Sequence, residues 1–209
     1  MFAVDFRLYL ITDRHQCGGR ELLAVVQDAC EAGVRAVQLR EKDLFPSELY
    51  PLAGKMNAVC RATGTKLLVN DRVDVVQAVQ ADGVQLTAKS LPVAVARGLL
   101  GKAKLIGVST HSLEEAHRAA DSGADFVLYG PVFYTSSKAA FGAPKGLSDL
   151  TRVAEAVAVP VFAIGGINPE RANRCIEAGA SGVAVISSIL HAEDIRKAVA
   201  EFEDALGCL

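Results

Sequence analysis

Short apolar runs of strand character alternate with segments whose apolar residues recur at helical spacing, and this happens eight times along the chain. The strand-like runs are Arg7–Thr12, Ala36–Arg40, Lys66–Asn70, Gly83–Leu86, Leu105–Ser109, Phe126–Gly130, Val161–Ile164 and Gly182–Ile186. Between them, patterns such as Leu22, Val25, Val26, Ala29, Cys30 and Leu49, Leu52, Ala53, Met56, Cys60 put one apolar face on a helix. Shorter helices follow over Val73–Val79 and Leu91–Leu100. Ser112 and Glu115 form a capping box before a helix that ends near Gly123, and helices run over Leu147–Val157 and Pro169–Ala178. Ile195, Ala198, Val199, Phe202 and Leu206 mark the closing helix. Strand–helix alternation implies parallel strands joined by right-handed crossovers, and eight units predict closure into a (β/α)8 barrel. No composition shift marks a linker, so residues 1–209 read as one domain. An open doubly wound sheet is the fallback, but no GxGxxG follows the first strand.

A net charge of −2 argues against a general nucleic-acid binder and leaves room for a local cationic pocket. The five cysteines show no CxxC spacing, so reduced core thiols in a cytoplasmic protein are expected and structural zinc is not. No signal-like segment opens the chain and no apolar run is long enough for a membrane span. A homo-oligomer is left open.

In a barrel the site lies at the carboxyl ends of the strands. Strand seven runs into Gly165-Gly166-Ile167, after which Asn168 is a good N-cap and Pro169 suits the first helical position. Paired glycines there let backbone N–H groups approach an anion, although a plain turn needing positive φ reads equally from this stretch alone. Strand eight ends in Ile186-Ser187-Ser188, and loops after strands seven and eight form the usual phosphate site of a barrel. Strand two ends in Gln38, Arg40 and Lys42, alternate residues that share a face, where two cations suit a polyanion. Asp71, after Asn70, either holds Mg2+ or caps the next helix. Ser109 follows strand five, and His111 before the helix is weak grounds for a general base. Thr135, Ser137 and Lys138 lead into the aperiodic stretch Ser136–Gly146, which reads as a lid over phosphates or as a surface loop. Together these residues describe a site for two small phosphorylated groups.

Seven stretches in order resemble the thiamine-phosphate synthase family over nearly the whole chain. They are Tyr9–Asp13 (YLITD), Val37–Lys42 (VQLREK), Val69–Arg72 (VNDR), Gly107–His111 (GVSTH), Gly130–Lys138 (GPVFYTSSK), Ala163–Ile167 (AIGGI) and Gly182–Ser187 (GVAVIS). The resemblance implies a (β/α)8 barrel that joins hydroxymethylpyrimidine pyrophosphate to a thiazole phosphate with Mg2+ and releases pyrophosphate. It implies that Arg40, Lys42 and Lys138 hold the pyrophosphate and act in catalysis, and that Gln38 and Asn70 contact the pyrimidine and its leaving group. Ser109, Thr135 and Ser137 would hydrogen-bond the substrates, Gly166, Ile186 and Ser187 would receive the thiazole phosphate, and Asp71 would be a metal ligand.

One departure bears on the metal. After strand four the family usually reads GVHLGQ-x-D, its aspartate a second Mg2+ ligand, whereas this chain reads Gly83-Val-Gln-Leu-Thr-Ala-Lys-Ser90. Ser90 then reads as a helix N-cap, Mg2+ binding should weaken, and Lys89 is placed to supply positive charge instead. This stretch and His111–Ala116 are closer to the TenI branch, which includes metal-free thiazole tautomerases, but Pro131 stands where the tautomerase histidine falls. The cationic cluster favours the synthase, with a TenI-like tautomerase and a non-catalytic thiazole phosphate binder as alternatives.

Overall fold

A computed structural model of the chain describes residues 4–135 and 143–207. Parallel strands β1 (Leu8–Ile11), β2 (Ala36–Leu39), β3 (Lys66–Asn70), β4 (Gly83–Leu86), β5 (Leu105–Thr110), β6 (Phe126–Tyr129), β7 (Val161–Ile164) and β8 (Gly182–Val185) close in sequence order into a barrel. The seam is β1 against β8, with Leu8, Tyr9 and Leu10 in register with Val183, Ala184 and Val185. Helices α1 (Leu22–Glu31), α2 (Pro46–Thr63), α3 (Val73–Val79), α4 (Val93–Leu100), α5 (Leu113–Asp121), α6 (Gly146–Ala156) and α7 (Pro169–Glu177) follow β1 to β7. After β8 come a short helix α8 (Ser187–Leu190) and the long α9 (Ile195–Leu206). The (β/α)8 expectation is therefore met.

The strands read as continuous apolar runs because both of their faces are covered. Outward residues such as Leu10, Val37, Val69 and Val84 pack against the helices. Inward residues form a second cluster of Phe6, Tyr9, Ala36, Leu68, Leu105, Phe126, Phe162 and Ala184. Within it the rings of Phe6, Tyr9, Phe126 and Phe162 lie 5.2 to 6.5 Å apart, every pair tilted or edge-on, as their quadrupoles prefer. This aromatic layer plugs the amino end of the barrel. The next inward positions mix polar residues such as Gln38, Asn70 and Ser109 with Ile11 and Leu128, and they line a cavity at the carboxyl end.

Several local expectations shift. Asn168 caps α7 as read, its Oδ1 accepting from the Arg171 N–H at 2.9 Å. Ser112 caps α5, but the Glu115 carboxylate reaches the His111 N–H at 2.6 Å and not the N–H of Ser112, so the box is displaced by one residue. Ile186 leaves β8 and stands at the N-cap of α8, a helix the sequence reading did not contain. Ser90 does not cap α4, since Pro92 occupies that position. Cys17, Cys30, Cys60 and Cys175 are buried free thiols, as expected; Cys208 lies outside the described residues.

Candidate active site

The carboxyl end of the barrel opens into a cavity of about 430 Å3, within the range of small-molecule sites. Gln38, Arg40, Lys42, Asn70, Ser109, Thr135, Gly166, Ile186 and Ser187 all line it. Every one of them was singled out in the sequence, and the fold brings them to one place because each ends or follows a strand. Ser137 and Lys138 lie outside the described residues.

The wall above β7 and β8 is main chain. Gly165 and Gly166 have φ of +101° and +64°, a region that side chains with a Cβ disfavour. Space is short as well: a Cβ on Gly165 would meet Pro131 at 2.6 Å, and one on Gly166 would meet the Tyr134 carbonyl oxygen at 2.4 Å. The Gly165 carbonyl accepts from the Phe133 N–H at 3.1 Å, and the Gly166 carbonyl accepts from the Arg171 guanidinium at 2.6 Å. In a trans peptide the C=O and the following N–H point in opposite directions. The N–H groups of Gly166 and Ile167 are therefore turned away from those two partners. The Ser188 hydroxyl donates to the Ile167 carbonyl at 2.5 Å and ties this loop to the start of α8.

Inward strand positions carry a row of hydrogen-bonded side chains, of which Gln38 and Ser109 line the cavity while Tyr9 and Gln85 are buried behind them. Gln38 donates to the Tyr9 hydroxyl at 3.4 Å, Tyr9 donates to Gln85 Oε1 at 3.5 Å, and Gln85 Nε2 donates to Ser109 Oγ at 3.2 Å. Burial pushes the Tyr9 phenol far above its usual pKa, so it remains a neutral hydroxyl able to donate and accept at once. Tyr9 and Gln85 were missed in the sequence. The signal for Gln85 was there, a polar residue inside an apolar strand, as for Gln38.

Across the ring from β7 and β8 stand the ends of β3 and β4. Asp71 adopts φ +62° and does not cap α3, whose N-cap is Arg72, so the capping alternative fails. Its carboxylate instead accepts from the Asn70 amide at 3.1 Å and from the Ser90 hydroxyl. Ser90 Oγ in turn accepts from the Thr87 N–H at 2.6 Å. Ser90 is thus locked to Asp71 and to the turn after β4, and Lys89 beside it lines the cavity. Among the described residues, no cluster of three or more His, Cys, Asp or Glu is placed to hold a metal. His111 also lines the cavity, its Nδ1 2.6 Å from the Gly130 carbonyl, which fixes that nitrogen as the protonated one.

A family model described as thiamine monophosphate synthase matches residues 8–189. The chain belongs to the thiamine monophosphate synthase family. A putative thiamine-phosphate synthase of Geobacter sulfurreducens is 51% identical over 197 residues, which cover 94% of this chain and 92% of that protein. A thiamine-phosphate synthase of Syntrophomonas wolfei is 45% identical, with 93% of each chain covered. Thiamine phosphate pyrophosphorylase from Pyrococcus furiosus has a solved structure that matches with a TM-score of 0.88 at 38% identity, covering 96% of this chain and 95% of its own. A 3-hexulose-6-phosphate synthase, with a TM-score of 0.71 at 20% identity, shares the fold alone. Among the described residues, no helix is long and apolar enough to cross a membrane.

Proposed function

We infer that this transferase condenses hydroxymethylpyrimidine pyrophosphate with a thiazole phosphate, giving thiamine phosphate and pyrophosphate. The observation that carries the reading is one cavity, in a member of this family, lined both by Arg40 and Lys42 and by the Gly165–Ile167 and Ile186–Ser188 main chain. Arg40 and Lys42, with Lys138 from the segment outside the described residues, hold the pyrophosphate. Gln38 and Asn70 contact the pyrimidine and its leaving group. Ser109, Thr135 and Ser137 hydrogen-bond the substrates, and the N–H groups of Gly166, Ile186 and Ser187 take the thiazole phosphate.

The chemistry asks little of a base. The C–O bond between the pyrimidine methylene and pyrophosphate breaks with its electron pair leaving on the pyrophosphate. The thiazole nitrogen lone pair then forms the new C–N bond, and no proton need leave that nitrogen. Cations at the leaving group and a positioned nucleophile account for the rate. Gln38 and Ser109, held in place through the buried Tyr9 and Gln85, orient the pyrimidine from below. Pro131 offers no titratable group where a tautomerase places its histidine, which favours the synthase.

The family implies Mg2+. One carboxylate, Asp71, and the Ser90 hydroxyl suit an ion that keeps several waters and takes its other ligands from substrate phosphates. When bound there, Mg2+ neutralises charge on the leaving pyrophosphate. Ser90 would have to release its proton contact with Asp71, so binding is weaker than with a second carboxylate. Purified protein given both substrates and Mg2+ tests the reading: thiamine phosphate and pyrophosphate should form in equal amounts. Their absence across a range of Mg2+, or isomerisation of the thiazole carboxylate phosphate instead, would refute it.

A further inference from the structure

Glu41 lies between two cavity-lining cations in the chain, yet it points the other way and is buried, its side chain only 1% exposed. A buried carboxylate is costly unless it is hydrogen-bonded and paired. Glu41 has three donors. The Thr12 hydroxyl reaches Oε1 at 2.6 Å, while the Arg14 N–H and guanidinium both reach Oε2 at 3.1 Å. Arg14 extends the set with a two-pronged contact to Asp43 at 2.6 and 2.7 Å, and His15 Nε2 lies 3.0 Å from the same carboxylate.

Thr12 is the link to the cavity. The Thr12 N–H donates to the Gln38 carbonyl at 2.9 Å, continuing the β1–β2 ladder by one step. At the next step the strand β1 has ended, and the Arg40 N–H donates to the Thr12 hydroxyl at 2.9 Å in place of a carbonyl. The same hydroxyl gives its proton to Glu41. Arg40 N–H, Thr12 hydroxyl and Glu41 carboxylate thus form one directed chain, and Arg14 anchors its far end. Arg40 and Lys42, on either side of the buried Glu41, both line the cavity.

We propose that Glu41 is a positioning residue for the cationic clamp: through Thr12 it fixes the main chain at Arg40 and so sets the direction from which Arg40 and Lys42 meet a pyrophosphate group. The proposal rests on the pyrophosphate reading above.

Calorimetric titration with inorganic pyrophosphate plus Mg2+, and separately with thiazole phosphate, tests this on wild type, Glu41→Gln, Thr12→Val and Thr12→Ser. Glu41→Gln and Thr12→Val should weaken pyrophosphate binding by roughly tenfold, with thiazole phosphate affinity within about twofold of wild type. Thr12→Ser keeps the hydroxyl and should restore wild-type affinity. Thr12→Val is nearly isosteric and decides the matter if Glu41→Gln does not fold. Equal weakening of both ligands would show a merely structural role and overturn the proposal, as would unchanged pyrophosphate binding in Thr12→Val. A wild type that binds no pyrophosphate would overturn the functional reading, and this inference with it.

Discussion

The rim over β7 and β8 is built from main chain, whereas the rim over β2, β3 and β4 is built from side chains. On the first, the Gly165 and Gly166 carbonyls are held by Phe133 and Arg171, and neither glycine has room for a Cβ. On the second, the side chains of Arg40, Lys42 and Lys89 line the cavity, and Asp71 and Ser90 are bonded to each other beside Lys89. A main-chain site is fixed by peptide geometry and tolerates change at neighbouring side chains. A side-chain site is retuned by one substitution. Ser90, where the family resemblance leads one to expect a carboxylate, falls on the second rim. On the proposed function, the first rim takes the thiazole phosphate and the second sets how this chain handles metal and pyrophosphate.

The sharpest way to break that contrast is Gly166→Val. It places a β-branched side chain at φ +64°, 2.4 Å from the Tyr134 carbonyl. KM for thiazole phosphate should rise by about 100-fold, roughly 2.7 kcal/mol of lost binding. The melting temperature should also fall, with Gly166→Ala milder in both. A wild-type KM in Gly166→Val would show that the main-chain rim does not bind the thiazole phosphate.

Ser90→Asp should sharpen the contrast from the other side. Mg2+ needed for half-maximal turnover should fall by about tenfold, as ligand charge at the site rises. Without metal the new carboxylate faces Asp71, so like-charge repulsion should lower the melting temperature, and Mg2+ should restore it. A melting temperature indifferent to Mg2+ in this variant would count against Asp71 as a ligand.

The smallest effect concerns the outer support of the clamp. Hydrogen bonding to Arg14, then His15, holds the Asp43 carboxyl below its ordinary pKa. A depressed pKa contributes stability that is present above the unfolded value, near 3.9 for Asp, and is lost as pH falls through the folded value. Asp43→Asn should therefore melt slightly below wild type at neutral pH, with the gap closing in acid. Because Asp43 is exposed, salt should shrink the gap too. A gap that widens in acid would contradict the assigned sign.

Much of the fold was legible because parallel strands covered on both faces leave short apolar runs, such as Leu67–Val69, separated by helical periodicity. The site was legible where the chain leaves a strand into it, since Gln38 on β2 and Arg40 and Lys42 just beyond its end all reach the cavity. It was illegible where contacts depend on how neighbouring loops meet. Ser90 reads as a cap in sequence, but the Thr87–Ser90 turn carries it back to Asp71, 19 residues earlier. Glu41 reads as one more charge in a basic stretch. Its burial depends on the register of β2 against β1, which brings Thr12 and Arg14 to it.

The two-rim account is tested most directly by one crossed titration of wild type, Arg40→Ala and Gly166→Ala with inorganic pyrophosphate and with thiazole phosphate. Arg40→Ala should weaken pyrophosphate by roughly 10- to 100-fold, the worth of a charge-assisted contact, and leave thiazole phosphate unchanged. Gly166→Ala should do the reverse. Equal losses for both ligands in either variant would contradict the division of the site into a main-chain rim and a side-chain rim.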